Sequence, residues 1–162
     1  MSTESLPRTK DPYHVRLMKL ALSEAQKCIA TPTAFCVGAI ITSSSGTILS
    51  SGYSRELPGN THAEQCAIDK IGSPIASRPL LEGASLYTTM EPCSERLSGN
   101  EPCAQRILKT PIKTVYIGVL EPKDFVADCQ GVKLLLDDGR QVFVVDDAEL
   151  AQECLREARR GH

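Results

Sequence analysis

His62, Glu64, Cys93 and Cys103 are the residues of this chain whose types and spacing can do chemistry. One imidazole and two thiols can hold a zinc ion, and three protein ligands leave the fourth tetrahedral position to water. A structural zinc is usually closed by four protein ligands, so an open position is the mark of a catalytic one. Zinc lowers the pKa of its water to about 7 and so yields a nucleophile at neutral pH. Glu64 lies two residues beyond His62, where a carboxylate that is not itself a ligand can move the water's protons. Such a set suits hydrolysis at a carbon in an amidine-like N–C=N system. The ring nitrogen gains a proton as the tetrahedral centre forms, and the departing amine needs another.

Taken singly, each piece has an ordinary reading. A His-x-Glu at a helix start is commonly a capping carboxylate, and two cysteines ten positions apart are commonly core or loop residues. Taken together they read differently. Each cysteine follows Glu-Pro, as Glu91-Pro92-Cys93 and Glu101-Pro102-Cys103. Pro102 suits a first helical position, which places Cys103 where backbone N–H groups favour a thiolate. His62 lies near the start of its own helix. Glu91 is expected to be structural. The carbonyl of Thr89, Met90 or Glu91 is available to accept a hydrogen bond from a substrate amine.

The elements that must position these residues follow from periodicity and punctuation. Residues 1–10 are expected to form a mobile leader, and 11–162 a single domain. Asp11-Pro12 opens a helix over 12–30, with Val15, Met18, Leu22, Ala25 and Ile29 on one face; Thr31-Pro32 stops it. Strands are expected at 37–42 and 47–53 around a turn, then a loop through 55–60. A helix over 61–71 carries His62 and Glu64 in its first turn. Residues 74–83 connect. A strand at 85–89, a helix at 102–109, a strand at 113–120, a helix at 130–137, a strand at 141–145 and a helix at 147–159 complete the order. An opening hairpin followed by alternating units predicts a three-layer α-β-α sandwich with a five-stranded mixed sheet.

Composition narrows the partners. The chain has 162 residues, net charge -2, no Trp and only 3 Phe and 4 Tyr, with a pI of about 5.9. A basic face or an aromatic platform for nucleic acid is therefore not expected. Arg156, Arg159 and Arg160 read as a solvated helix end. No apolar run approaches membrane-spanning length. The odd count of 7 cysteines and the lack of a secretory h-region point to a reducing compartment, the cytoplasm. Cys28, Cys36, Cys66, Cys129 and Cys154 sit in apolar patterns and are expected as core residues.

The chain resembles the cytidine-deaminase-like zinc deaminases over about residues 12–150. Within them it looks most like the riboflavin-biosynthesis deaminase of fungal type. The stretches that carry the resemblance run from Thr33 to Ala39, Gly59 to Glu64, Leu86 to Cys103 and Val115 to Lys123. The general signature is H-x-E followed by P-C-x-x-C; this chain has nine residues (94–102) between its cysteines, a longer spacing that resembles the riboflavin-pathway type. The resemblance implies His62, Cys93 and Cys103 as ligands of one Zn²⁺ per subunit and Glu64 as proton shuttle. It implies a phosphorylated pyrimidine, 2,5-diamino-6-ribitylamino-4(3H)-pyrimidinone 5′-phosphate, as substrate, and a homodimer. Donors to its phosphate and ribityl chain are sought among Arg55, Asn60, Ser94, Arg96, Ser98, Asn100 and Lys123. Two alternatives stay open: deamination of cytosine, cytidine, guanine or a tRNA adenosine, and a non-catalytic zinc module, against which the intact Glu64 argues.

Overall fold

The Asp11 carboxylate accepts the Tyr13 N–H at 2.9 Å, and Pro12 takes the first position of helix α1 (Pro12–Ala25), where no N–H is needed. The computed structural model describes residues 6–96, 99–120 and 130–162. α1 ends before the expected residue 30, and Ile29, expected on its buried face, is 83% exposed. The carbonyls of Ala25, Gln26 and Cys28 accept from the Arg160 guanidinium past the helix end, where Ala25 also accepts the Cys28 N–H. Arg160, expected to be solvated, thus caps a helix more than a hundred residues away.

Strands β2 (Gly38–Thr42) and β3 (Ile48–Tyr53) form the expected hairpin, and β4 (Ser85–Met90), β5 (Thr114–Val119) and β6 (Gln141–Val145) continue the sheet. β2 is antiparallel to both β3 and β4, whereas β4, β5 and β6 run parallel. The sheet has six strands, in the order β1-β6-β5-β4-β2-β3, and not five. The added strand is β1 (Arg8–Thr9), which pairs with Val144 and Val145. Beside it Leu6 is buried. Residues 6–9 of the expected leader are therefore held on the sheet edge, and 1–5 lie outside the described residues. Two polar residues carry no periodicity; the β6 edge gives their backbone its strand partner.

Residues of one strand alternate between two cores, as a pleated strand requires. Ala39, Ile41, Leu86, Val115 and Ile117 face one core, with Ala63 and Ala67 of α2 (Ala63–Asp69), Ile107 of α4 (Cys103–Leu108), and Val132 and Leu135 of α5 (Gly131–Asp137). Ile40 and Tyr87 face the other, with α1 and with Leu150 and Cys154 of α6 (Ala148–Ala158). The layers are α-β-α, with both helices that approach the zinc-type residues, α2 and α4, on one face.

The expected connection at 74–83 contains a helix, α3 (Pro74–Leu81). Its two prolines read as breakers, yet Pro74 occupies the first helical position and the Ser73 hydroxyl accepts the Ala76 N–H at 3.2 Å. Pro79 forfeits one helical bond, while Leu81 is fully buried in the core shared with α2. Cys28, Cys36, Cys66 and Cys154 are buried free thiols, as expected; Cys129 lies outside the described residues. Among the described residues no helix is long and apolar enough to cross a membrane.

Candidate active site

The loop from β3 to α2 is shaped by left-handed residues. Arg55 (φ 63°), Gly59 (φ 91°) and Asn60 (φ 53°) turn the chain, and the Arg55 N–H bonds the Thr61 carbonyl at 2.6 Å to close it. His62 emerges in extended conformation as the N-cap of α2, just before a helix that begins at Ala63 and not at the expected residue 61. Glu64 is the second residue of that helix and is buried. Gly52 of β3 lets α2 approach: a Cβ there would meet the Ala63 carbonyl oxygen at 2.3 Å.

Cys93 follows β4, and Cys103 is the first residue of α4, with Pro102 at the N-cap position and not inside the helix. The α4 backbone ties the two cysteines together. The Cys103 N–H donates to Cys93 Sγ at 3.3 Å, and the Ala104 N–H donates to the Cys93 carbonyl at 3.0 Å. The far end of α4 is fixed by the Arg140 guanidinium, which donates to the carbonyls of Ile107, Leu108, Thr110 and Ile112.

His62 Nδ1 lies 3.6 Å from Cys93 Sγ and 3.3 Å from Cys103 Sγ, and the three donor atoms all fall within 4.8 Å of one another. Zn–N and Zn–S bonds at a tetrahedral angle place N and S about 3.6 Å apart. One imidazole and two thiols at these separations fit zinc, with one tetrahedral position left for water. Hydrogen bonding from Cys103, then from His62, pulls the Cys93 thiol down despite its burial, while the bond to Cys93 and burial push Cys103 up.

Glu64 stands beside this cluster. Burial pushes its carboxyl above the usual carboxylate range, and the Cys93 charge adds to that; the His62 imidazole, its own backbone N–H and the Thr88 hydroxyl oppose it. The charge of Glu64 adds to the causes that push the Cys103 thiol up. On the other side Thr88 Oγ1 lies 3.0 Å from Glu64 Oε1. A buried acid within reach of the ligand set, and not part of it, is placed to hold and pass a proton.

Residues 12–119 match the cytidine and deoxycytidylate deaminase zinc-binding region. The chain belongs to this deaminase family. It is 51% identical over 154 residues to the diaminohydroxyphosphoribosylamino-pyrimidine deaminase of Schizosaccharomyces pombe, a match covering 93% of this chain and 36% of that protein. The chain spans about a third of the length of the curated relatives it matches first. A crystal structure of a C-terminally deleted Rib2 deaminase of Aspergillus oryzae superposes with a TM-score of 0.82 at 36% identity, over 92% of each chain. The same Aspergillus deaminase in complex with DARIPP superposes with a TM-score of 0.81 at 35% identity, over 93% of this chain and 92% of that one.

In this member of the deaminase family the expected substrate contacts separate. Arg96 reaches back to the Asn60 carbonyl at 2.6 Å and to the Glu101 carbonyl at 3.5 Å, which ties the inter-cysteine loop to the loop that carries His62. Asn60 and Asn100 are exposed. Ser94 Oγ accepts the Gln130 N–H at 3.0 Å. Arg55 turns away: its guanidinium donates to Cys28 Sγ, to the Ile29 carbonyl and to the Phe35 carbonyl. Ser98 and Lys123 lie outside the described residues. Sequence reasoning passed over Thr88. Its signal was a hydroxyl at a position whose strand neighbours, Ala39 and Ile117, are apolar core residues.

Proposed function

We propose that this chain is a zinc-dependent hydrolytic deaminase of riboflavin biosynthesis. Its substrate is 2,5-diamino-6-ribitylamino-4(3H)-pyrimidinone 5′-phosphate, its products the corresponding 5-amino-6-ribitylaminouracil phosphate and ammonia. The observation that carries the reading is the convergence of His62, Cys93 and Cys103, with Glu64 beside them and outside the donor set. The resemblance to fungal deaminases with the same kind of substrate in their names supports it.

Zinc held by the three side chains supplies a Lewis acid and a water acidic enough to attack near neutral pH. Glu64 accepts the proton that the attacking water gives up and passes it to the ring nitrogen next to carbon 2. Carbon 2 becomes tetrahedral as its new C–O bond forms. Glu64 then moves the second proton from that oxygen to the amine, the C–N bond breaks, and ammonia leaves. The buried position of Glu64 keeps bulk water from competing for these protons.

The loop between Cys93 and Cys103, anchored at both ends by ligands, forms a wall of the substrate pocket. Ser94, Arg96 and Asn100 of that loop and Asn60 of the loop before α2 are the described residues read as donors to the substrate, with Ser98 and Lys123 as further donors in this reading. Shortening that loop to two residues keeps zinc and abolishes turnover; unchanged turnover would sink the loop's role. The protein is read as a cytoplasmic homodimer, which light scattering of the purified protein and microscopy of a tagged copy test separately.

The deciding experiment measures ammonia release by the zinc-loaded protein offered the ribitylamino and ribosylamino pyrimidine phosphates, cytidine, cytosine and guanine. Turnover of the ribityl compound supports the reading. The ribosylamino compound is the second reading, favoured by the phosphoribosylamino substrate in the name of the Schizosaccharomyces relative. Turnover of a nucleoside or free base alone overturns the pathway assignment.

A further inference from the structure

We propose that Thr88 is a positioning residue for Glu64. The inference rests on the deaminase reading above. Thr88 lies in the middle of β4, is fully buried, and pairs with Ala39 on one side and Ile117 on the other. Leu86, two residues earlier, belongs to the same apolar core as those neighbours. Valine has the shape of threonine and a higher strand preference at an apolar site. A hydroxyl here is unfavourable unless it is hydrogen-bonded.

Its partners explain it. Thr88 Oγ1 stands 3.0 Å from Glu64 Oε1 and 2.8 Å from the Met90 carbonyl. The hydroxyl therefore joins the carboxyl of Glu64, in the first turn of α2, to the end of β4 and fixes one of its two oxygens. A reacting group displaced by about 1 Å can lose about 100-fold in rate, so a buried partner that fixes the aim of Glu64 bears on turnover without touching the ligands.

The test compares Thr88→Val and Thr88→Ser with the wild-type protein. Four quantities are read: zinc per subunit, melting temperature, kcat and KM for ammonia release, and calorimetric binding of the uracil product. The expected result for Thr88→Val is full zinc, unchanged KM and product binding, and kcat lower by about 10- to 100-fold, the usual loss when a supporting partner is removed. Thr88→Ser keeps the hydroxyl and restores most of kcat. Thr88→Ala gives the same comparison if the valine protein does not fold. Unchanged kcat in the valine and alanine proteins overturns the proposal. So does a loss of kcat that follows the loss of zinc or that serine fails to rescue, because the role is then structural. A wild-type protein that releases no ammonia from any substrate offered overturns the deaminase reading itself, which the variants alone do not.

Discussion

Gly52 sits under Ala63 so closely that a methyl group on it would stand 2.3 Å from the Ala63 carbonyl oxygen and 2.7 Å from the Ala67 nitrogen. The first turn of α2, and with it His62 and Glu64, is seated on β3 through this bare backbone. Gly52→Ala is expected to lift the helix and destabilise the protein by about 1–3 kcal/mol. That corresponds to a fall in melting temperature of about 2–4 °C per kcal/mol for a chain of this size. Zinc retention against a chelator should weaken in parallel. Thermal melts and chelator titrations of the purified variant check both.

Glu64→Gln keeps the shape of the side chain but removes the carboxyl group to which the proposed mechanism assigns the proton transfers. Zinc content is expected to stay at the wild-type level. Turnover is expected to fall by about 100- to 10,000-fold, the range for a general acid–base group. Metal analysis beside an ammonia assay separates the two effects; retained turnover would mean that another group moves the proton.

Cys103 is fully buried, and its backbone N–H holds Cys93 Sγ as well. Cys103→Ser is expected to lose most bound zinc and all measurable turnover. Removing zinc from the wild-type protein with a strong chelator should abolish ammonia release, and adding zinc back should restore it. Recovery without added metal would contradict a zinc-dependent reaction.

Arg140 offers a planar fork of donors to four carbonyls at the end of α4. Removing it leaves those carbonyls without that donor, and hydrogen bonds to charged groups contribute about 1.5–3 kcal/mol each before relaxation. Arg140→Ala should therefore be among the more destabilising changes far from the ligands. Arg140→Lys should recover little, because a single ammonium cannot serve the same set. Urea denaturation of the two variants decides this.

His14 is stacked on Tyr116 with 4.3 Å between ring centroids, and its Nδ1 lies 2.6 Å from the Tyr87 hydroxyl. Burial holds its pKa below 6.5, against the weaker pull of Asp11 in the other direction. In the unfolded chain His14 takes up its proton at about 6.5. As pH falls through that value the unfolded state binds more protons than the folded one, so stability is lost. Stability contributed by neutral His14 is present above pH 6.5 and declines below it. His14→Phe should flatten that acid limb in denaturation curves taken between pH 5 and pH 8, and a wild-type imidazole titrating above 6.5 by NMR would contradict the assignment.

The ligand set was legible because zinc chemistry names its residue types and because each ligand sits at a local start signal. Pro102 before Cys103 and the Gly59-Asn60 turn before His62 are short-range features, and hydrophobic period marked α1, β2 to β6 and α6 to within a few residues. The short strand at Arg8–Thr9 was not legible, since two polar residues pair only when the edge of β6 is already there. α3 was hidden by its prolines and is held by Leu81 in the core.

By itself the sequence determined what chemistry the chain can carry: one imidazole, two thiols and a carboxylate, arranged around helix starts in an α/β chain. The tertiary structure decided where the surrounding polar groups stand. It turned Arg55 toward Cys28 and the Phe35 carbonyl, used Arg96 to join two loops, and placed Thr88 against Glu64. The physical reason is range. Caps, turns and periodicity act over a few residues, whereas a hydrogen bond across 24 positions, as between Glu64 and Thr88, exists only after α2 has packed on the sheet.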